Sequence, residues 1–428
     1  MTAIFWFRRD LRIKDNTALY YALRENRNVI PIFIFDTNIL EELPQDDARV
    51  TFIYQRLAEL HKQLQEFGSG LIVKHGNPTN IWRTLLHELN PSSVYFNKDY
   101  EPYALKRDKK VQQILESNGI AVHKYKDQVI FEEDEILKPD GSNYTVYTPY
   151  KNKWLQKFCI PKINEWTNIN TKHLAKIKAE FPGLADIGFK QVDIYIRDYD
   201  LSKLGLYAET RNIPADDATS YLSVHLRFGT VSIREIVKKV FENNPVFLNE
   251  LIWREFFMQI LFHYPRVVNE NFKKKYNGIH WRNNEIEFER WCNGETGYPM
   301  VDAGMRQLNQ TGYMHNRVRM IAASFLCKHL LIDWRWGEAY FAKKLLDFEL
   351  SSNNGNWQWA AGTGCDAAPY FRIFNPTEQQ KKFDKDFKYI NKWIPKINTF
   401  DYPPPMIEHK FARERALNAY KKGMINRK

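Results

Sequence analysis

At 428 residues, with 44% hydrophobic and 26% charged side chains, the chain is long enough for two or three domains with a sizeable core, and it reads as soluble and globular. No stretch approaches the roughly 20 apolar residues of a membrane span, which excludes a membrane-embedded class. A net charge of +11 suits a polyanionic partner through counterion release, although basicity alone does not name one.

The run from Met1 to Asp10 passes straight into a strand pattern and charges, unlike a signal peptide, so the expected compartment is the cytosol, or the nucleoid in a bacterium. Cys159, Cys292, Cys327 and Cys365 have no paired or zinc-like spacing; they are expected to be reduced, and no metal is expected. Aromatic residues reach 15%, with 12 Trp. Heavy aromatic packing accounts for that, as does stacking on bases or on a flat cofactor.

Residues 1–128 alternate short apolar runs with helical periodicity. Strands are expected at Ala3–Phe7, Val29–Phe35, Leu71–Val73, Val94–Phe96 and Ile120–Tyr125, with helices such as Thr51–Phe67 and Ala104–Asn118 between them. This pattern implies a parallel sheet covered on both faces, with ligands at the carboxyl ends of its strands. Arg8-Arg9-Asp10-Leu11-Arg12 follows the first strand where a nucleotide fold would carry Gly-x-Gly-x-x-Gly, so the usual dinucleotide fingerprint is missing. Glu101 could meet a ligand there, but a solvated helix start is the favoured reading.

Residues 129–195, with Pro139-Asp140-Gly141-Ser142, Pro149, Pro161 and Pro182-Gly183, lack periodicity and read as a connector packed on the surface of both domains. From 196 to 428 the pattern is helical, with helices expected at Phe247–Tyr264, Tyr298–Gln310, His315–Leu330, Gly337–Leu345 and Lys410–Lys421, and Gly312 as a C-cap. The fold class is therefore a Rossmann-like α/β domain followed by an all-α domain.

Three constellations fall in the helical half. Thr219-Ser220-Tyr221-Leu222-Ser223, after Tyr207, could bind phosphate at a helix start or be a simple N-cap. Glu250, Trp253 and Arg254 share one helix face, as an ordinary ion pair beside a core Trp or as a pocket for a stacked base. Asn316, Arg319 and Met320 share another face, with Arg317 turned away from it. The densest tract runs from Trp334 to Pro376. It holds Leu346-Asp347-Phe348-Glu349, Asn353-Asn354-Gly355-Asn356-Trp357-Gln358-Trp359 and Tyr370-Phe371-Arg372-Ile373-Phe374-Asn375-Pro376. Tryptophans beside Asn, Asp and Arg suggest a cavity for a large planar ligand, because buried polar groups need partners. The plainer alternative is an aromatic core with a polar turn at Asn353–Asn356.

That tract closely resembles the flavin-binding region of the DNA photolyase/cryptochrome family. Trp6-Phe7-Arg8-Arg9-Asp10-Leu11-Arg12 with Asp15-Asn16, and Val146-Tyr147-Thr148-Pro149-Tyr150, resemble its opening and connector, so the likeness spans essentially the whole chain. It is greatest to the class I enzymes that split cyclobutane pyrimidine dimers. The resemblance implies FAD in the helical domain and leaves room in the first domain for an antenna chromophore of folate or deazaflavin type. It assigns Tyr207 and Thr219, Ser220, Tyr221, Leu222 and Ser223 to the flavin diphosphate, Tyr221 standing where Arg is common. Arg319, Asp347, Glu349 and Asn353 fall to the flavin ring, Glu349 standing where Asp is common. Glu250, Trp253, Arg254, Asn316, Met320 and Trp359 fall to the dimer, and Arg211, Arg317 and Arg372 to DNA. Trp357, Trp334 and Trp281 match an electron-transfer chain, while Trp336 has no assignable role.

The resemblance thus implies light-driven repair by electron transfer from photoexcited reduced FAD to a dimer flipped out of UV-damaged single- or double-stranded DNA. It also implies a monomer with no membrane partner. Two readings compete: a blue-light cryptochrome without repair activity, and a (6-4) photolyase, against which Asn316 and Met320 stand where those relatives carry proton-donating histidines. A flavin oxidoreductase using NAD(P)H has no fingerprint to support it.

Overall fold

The computed structural model describes residues 2–160, 166–193, 195–395, 397 and 399–425. Two compact units emerge, each assembled from three pieces of chain: 1–136, 154–198 and 222–245 in the first, and 137–153, 199–221 and 246–428 in the second.

In the first unit, five apolar runs form one parallel sheet in the order β3-β2-β1-β4-β5, from β1 (Ala3–Phe7), β2 (Val29–Asp36), β3 (Ile72–Gly76), β4 (Ser93–Asn97) and β5 (Ala121–Tyr125). β1, β2 and β4 are buried along their whole lengths, as strands covered on both faces must be. Pro31 is tolerated in a central strand because β3 joins β2 only from Ile32 onward. Helices Thr17–Glu25, Ala48–Glu66, Pro78–Leu89 and Pro102–Ser117 connect the strands. Three of them begin with an Asx cap, at Asn16, Asp47 and Asn77, whose side chains accept backbone N–H bonds. Trp6 packs edge-on against Trp82 and Phe96, at 5.4 and 5.6 Å between ring centroids. Each such buried side chain contributes about 1.5–3 kcal/mol.

The sheet order reverses between β1 and β4, and the Arg8–Arg12 segment leaves β1 at that point. Its charges are paired. Arg9 reaches Asp99 at 3.2 Å and Glu101 at 3.0 Å, Arg8 pairs with Asp108, and Arg12 pairs with Asp127 at 2.7 Å. Glu101 is thus ion-paired and not the solvated helix start expected for it: the guanidinium of Arg9 folds over the Pro102–Ser117 helix entry.

The expected cuts at 128 and 195 do not coincide with the unit boundaries. Residues 154–198 return to the sheet, where Ala175 N–H donates to Val29 O and Trp166 N–H to Asp15. Residues 222–245 are held there by Arg234, bonded to Asp15 at 3.0 Å and Asp127 at 2.8 Å. The connector is partly regular, with a helix at Tyr147–Lys157 and 3₁₀ turns at Thr171–His173 and Leu184–Ile187. Pro161 lies outside the described residues.

The second unit is helical. Pro245–His263, Glu285–Asn293, Pro299–Thr311, Asn316–Ser324, Trp334–Lys344, Leu350–Ala361, Pro376–Phe383 and His409–Ile425 are its main helices. The expected helix His315–Leu330 is α-helical only to Ser324; Phe325–Leu330 widens into a π turn and ends at Leu331, with φ +54°. Gly312 caps Pro299–Thr311 at φ +70°, a conformation that favours glycine. Lys328, on the π turn, is buried. Its Nζ donates to Ala361 O at 2.7 Å and to Tyr370 O at 3.1 Å, and lies 3.9 Å from the centre of the Tyr420 ring.

Candidate active site

The Asn353–Asn356 run is not a turn. It lies within the Leu350–Ala361 helix, which glycine at 355 would weaken by about 1 kcal/mol on propensity alone. The reason for the glycine is steric: a Cβ there would stand 2.2 Å from the Phe257 ring. A cleft opens beside this helix. Its walls are Asn316, Arg319, Met320 and Ala323 from one helix, Asn353, Asn356, Trp357 and Trp359 from another, and Asp347, Phe348 and Glu349 from the turn between helices.

Charge is arranged asymmetrically around the cleft. Arg319 Nη2 donates to Asp347 Oδ2 at 2.9 Å, and Arg319 Nε to Met314 O at 2.8 Å. Asp347 Oδ1 is buried and has no hydrogen-bond partner. An unpaired buried acceptor costs about 1–3 kcal/mol, so a donor from a ligand is the natural remedy. Asn353 donates to Glu338 Oε1 and to Glu338 O, both at 3.0 Å, which fixes its amide at the cleft wall. Burial raises Glu338 above the usual carboxylate range. Trp357 is almost fully buried and packs directly on Gly337, where a Cβ would fall 2.1 Å from its ring.

Along the Pro245–His263 helix, Glu250 is salt-bridged to Arg211 at 2.8 Å, and Arg254 to Glu349 at 3.2 Å. Burial raises Glu250 in spite of Arg211. Trp253 lies flat against Tyr147, with ring centroids 3.7 Å apart and planes 7° apart. Arg317 points off the cleft face, bonds Asn212 Oδ1 at 2.6 Å through Nη2 and sits 4.4 Å over Phe383. Burial and the neighbouring charges of Arg211 and Arg372 lower the Arg317 pKa, so an anion beside Arg317 would be favoured.

The family description "FAD binding domain of DNA photolyase" matches residues 247–401, and "DNA photolyase" matches residues 3–168. A curated deoxyribodipyrimidine photo-lyase of Halobacterium salinarum is 34% identical, over 98% of both chains. The chain belongs to the DNA photolyase family. Among solved photolyases, a class III enzyme of Agrobacterium tumefaciens superposes with a TM-score of 0.88 at 35% identity, covering 99% of this chain and 97% of that one. The archaeal photolyase of Sulfolobus tokodaii, solved with two FAD molecules, gives 0.86 at 34%, covering 99% and 100%. A Synechocystis cryptochrome gives 0.85 at 26%, covering 98% and 99%.

For a photolyase-family chain, the cleft passes a simple test for FAD. It offers aromatic walls, one unsatisfied carboxylate oxygen, an arginine and fixed amides, which suit a flat heteroaromatic ring with polar edges. The structure brings Asn316, Arg319, Met320, Asp347, Glu349, Asn353, Trp357 and Trp359 to one cleft. It does not bring Tyr207 there: that ring meets Phe247 edge-on at 5.0 Å and lies under Arg211 at 5.3 Å. Tyr221 adopts φ +51°, bonds Asp217 and meets Tyr313 edge-on. Thr219 and Ser220 are half-buried just before it; Leu222 is buried at the start of the helix Leu222–Phe228, and Ser223 is exposed on it. Trp334 is fully buried, with Nε1 donating to Asn271 Oδ1 at 2.8 Å, and half-buried Trp281 meets Tyr420. Both touch the apolar cluster that holds Trp357, although Trp357's own ring neighbours are Trp291 and Phe341. Arg372 is exposed. Sequence reasoning missed Tyr147, whose only cue is an aromatic in the Val146–Pro149 run, and Lys328, whose burial no charge pattern announces.

Proposed function

We propose that this chain is a light-dependent deoxyribodipyrimidine photo-lyase that splits cyclobutane pyrimidine dimers in UV-damaged DNA. The observation that carries the reading is the cleft: an unsatisfied carboxylate and fixed amides sit there beside Trp357 and Trp359, in a chain that matches photo-lyases along its full length. Bound FAD, reduced and excited by light, supplies the electron that opens the cyclobutane ring and takes it back.

The protein's own residues bind, orient and exclude water. Asp347, Arg319 and Asn353 hold the flavin ring edge, with Glu349 and Arg254 bracing the turn behind it. Tyr207 and the stretch Thr219–Ser223 keep their sequence-based assignment to the diphosphate. Asn316, Met320 and Trp359 meet the dimer, which leaves the duplex at less than the usual unstacking cost because it is already distorted. Glu250, set in place by Arg211, hydrogen-bonds the base whose charge grows as the bonds break. Trp253 stacks against it. Arg211, Arg317 and Arg372 receive the phosphates. Trp357, Trp334 and Trp281 relay electrons to the cofactor when it arrives oxidised. A light-harvesting chromophore is assigned to the first unit at the carboxyl ends of its parallel strands, where sheets of this kind take their ligands. The proposed working form is a monomer in the cytosol. None of the described helices is long and apolar enough to cross a membrane.

The (6-4) reading loses a further argument. His315 is the histidine nearest those proton-donor positions, but its Nδ1 already accepts the Arg317 N–H at 3.1 Å. Burial, with Arg319 and Arg317, lowers its pKa to about 4, so at neutral pH it is the neutral imidazole and not the imidazolium that a general acid requires.

The test is repair of an oligonucleotide carrying one thymine cyclobutane dimer, in light and in darkness, with a (6-4) oligonucleotide in parallel. Repair of the first alone, and only in light, is expected. Flavin photoreduction with neither lesion repaired would move the chain to the cryptochromes.

A further inference from the structure

Tyr147 lies in the piece of chain between the two main folds, yet it is built into the second unit and buried there. Three contacts hold it. Its ring lies parallel to the half-buried indole of Trp253. Its hydroxyl donates to Asn249 O at 2.8 Å, one residue before Glu250. Its backbone N–H donates to Asp366 Oδ2 at 3.0 Å, in the loop that leads to Arg372. Phe256 closes one edge of the pair, meeting Tyr147 at 5.9 Å and Trp253 at 5.6 Å. Phe257 lies 5.3 Å from Trp253 and wedges against Gly355 of the cleft helix. A continuous line of packed rings therefore runs from Tyr147 through Trp253 and Phe257 to the helix that carries Asn353, Trp357 and Trp359.

We infer that Tyr147 is a positioning residue for lesion recognition: by closing one face of Trp253 and bonding the turn of Glu250, it holds the indole at the one angle at which its exposed part can stack on a damaged base. This rests on the reading of Trp253 given above. Stacking on a base is worth about 1–3 kcal/mol only when the ring stands where the base arrives. An indole free to tilt spends part of that on being ordered. A leucine at 147 would keep the site apolar but fill less of it, drop the bond to Asn249 and offer no flat face. A phenylalanine would keep the face and lose only the bond to Asn249.

The experiment uses FAD-loaded full-length protein and measures binding of a dimer-containing duplex and of the same duplex undamaged, together with kcat and KM for repair. Tyr147→Leu is expected to weaken dimer binding about tenfold and raise KM alike, with kcat, FAD content and undamaged-DNA affinity unchanged. Tyr147→Phe is expected to restore dimer binding to within about twofold. Tyr147→Met makes the same comparison should the leucine variant fold poorly. Unchanged discrimination in Tyr147→Leu overturns the inference; so does a parallel loss on both duplexes with a lowered melting temperature, which would mark simple glue. Trp253→Leu separates the two readings. If it discriminates normally, the role of Trp253 itself falls; if it loses discrimination while Tyr147→Leu does not, only the role of Tyr147 falls.

Discussion

Asp127 of the first unit and Asp347 of the second are both carboxylates facing arginines, with side chains only 1% and 6% exposed. Asp127 is enclosed: Arg12, Arg234 and Thr17 all donate to it, and both its oxygens are taken. Asp347 keeps one oxygen for Arg319 and leaves the other unpartnered at the rim of a cleft. The same residue type thus marks a structural knot in one place and an unfinished bond in the other. What separates them is whether the protein supplies every donor, and an unpartnered carboxylate oxygen at a cleft is what supports the flavin-binding role proposed for Asp347.

The largest effect should come from breaking the closed knot. Asp127→Ala leaves buried Arg12 with only carbonyl acceptors and Arg234 with Asp15 as its carboxylate, and is expected to cost about 3–5 kcal/mol, seen as a fall in denaturant midpoint. Asp347→Ala is expected to cost far less in the cofactor-free protein and instead to lower the FAD retained on purification. Equal losses of stability would erase the contrast. Next, Glu250→Ala removes a bond to growing charge and should slow repair about 10–100-fold while FAD stays bound, corresponding to roughly 1.5–3 kcal/mol. Loss of FAD in that variant would break the assignment.

Acid should then find the knot. Burial by itself raises Asp127, but Arg12 and Arg234 outweigh it and bring the pKa down to about 2 from an ordinary 3.8. A carboxylate depressed on folding contributes stability above its unfolded pKa and loses it as pH falls through the folded one. About 2 kcal/mol should therefore vanish between roughly pH 4 and pH 2, and Asp127→Asn should flatten that slope in acid denaturation. Smaller still, Arg317→Ala should weaken damaged and undamaged DNA alike and reduce the slope of log affinity against log salt by about 1. Trp281→Phe should leave repair by chemically reduced enzyme unchanged while abolishing photoreduction of the oxidised form; normal photoreduction would remove Trp281 from the relay.

Much of this was legible beforehand because the signals are local. β1, β2 and β4 are short, mostly apolar runs rich in β-branched and aromatic residues, and that composition places them. Asn316, Arg319 and Met320 share a face by helical spacing, and the cleft receives all three. The long-range pairings were not legible. Nothing local tells that residues 154–198 and 222–245 return to the sheet through Asp15 and Asp127, or that Arg211 spends its charge on Glu250. Lys328 reads as one more basic residue on a helix; only the fold reveals that it caps the Ala361 carbonyl and sits over an aromatic ring. Phe325–Leu330 reads as helix, and no residue in it signals the widening to a π turn.

Gly337 has a further consequence. With no room for even a methyl group between its Cα and the ring of Trp357, that indole is closely packed, and in the relay proposed for it there would be little space to swing on losing or regaining an electron. Surroundings that stay still as charge arrives demand little rearrangement energy, so the hop between Trp357 and a neighbouring acceptor should remain fast in the cold, even in a frozen glass. One missing side chain would thus make a thermal event nearly independent of temperature.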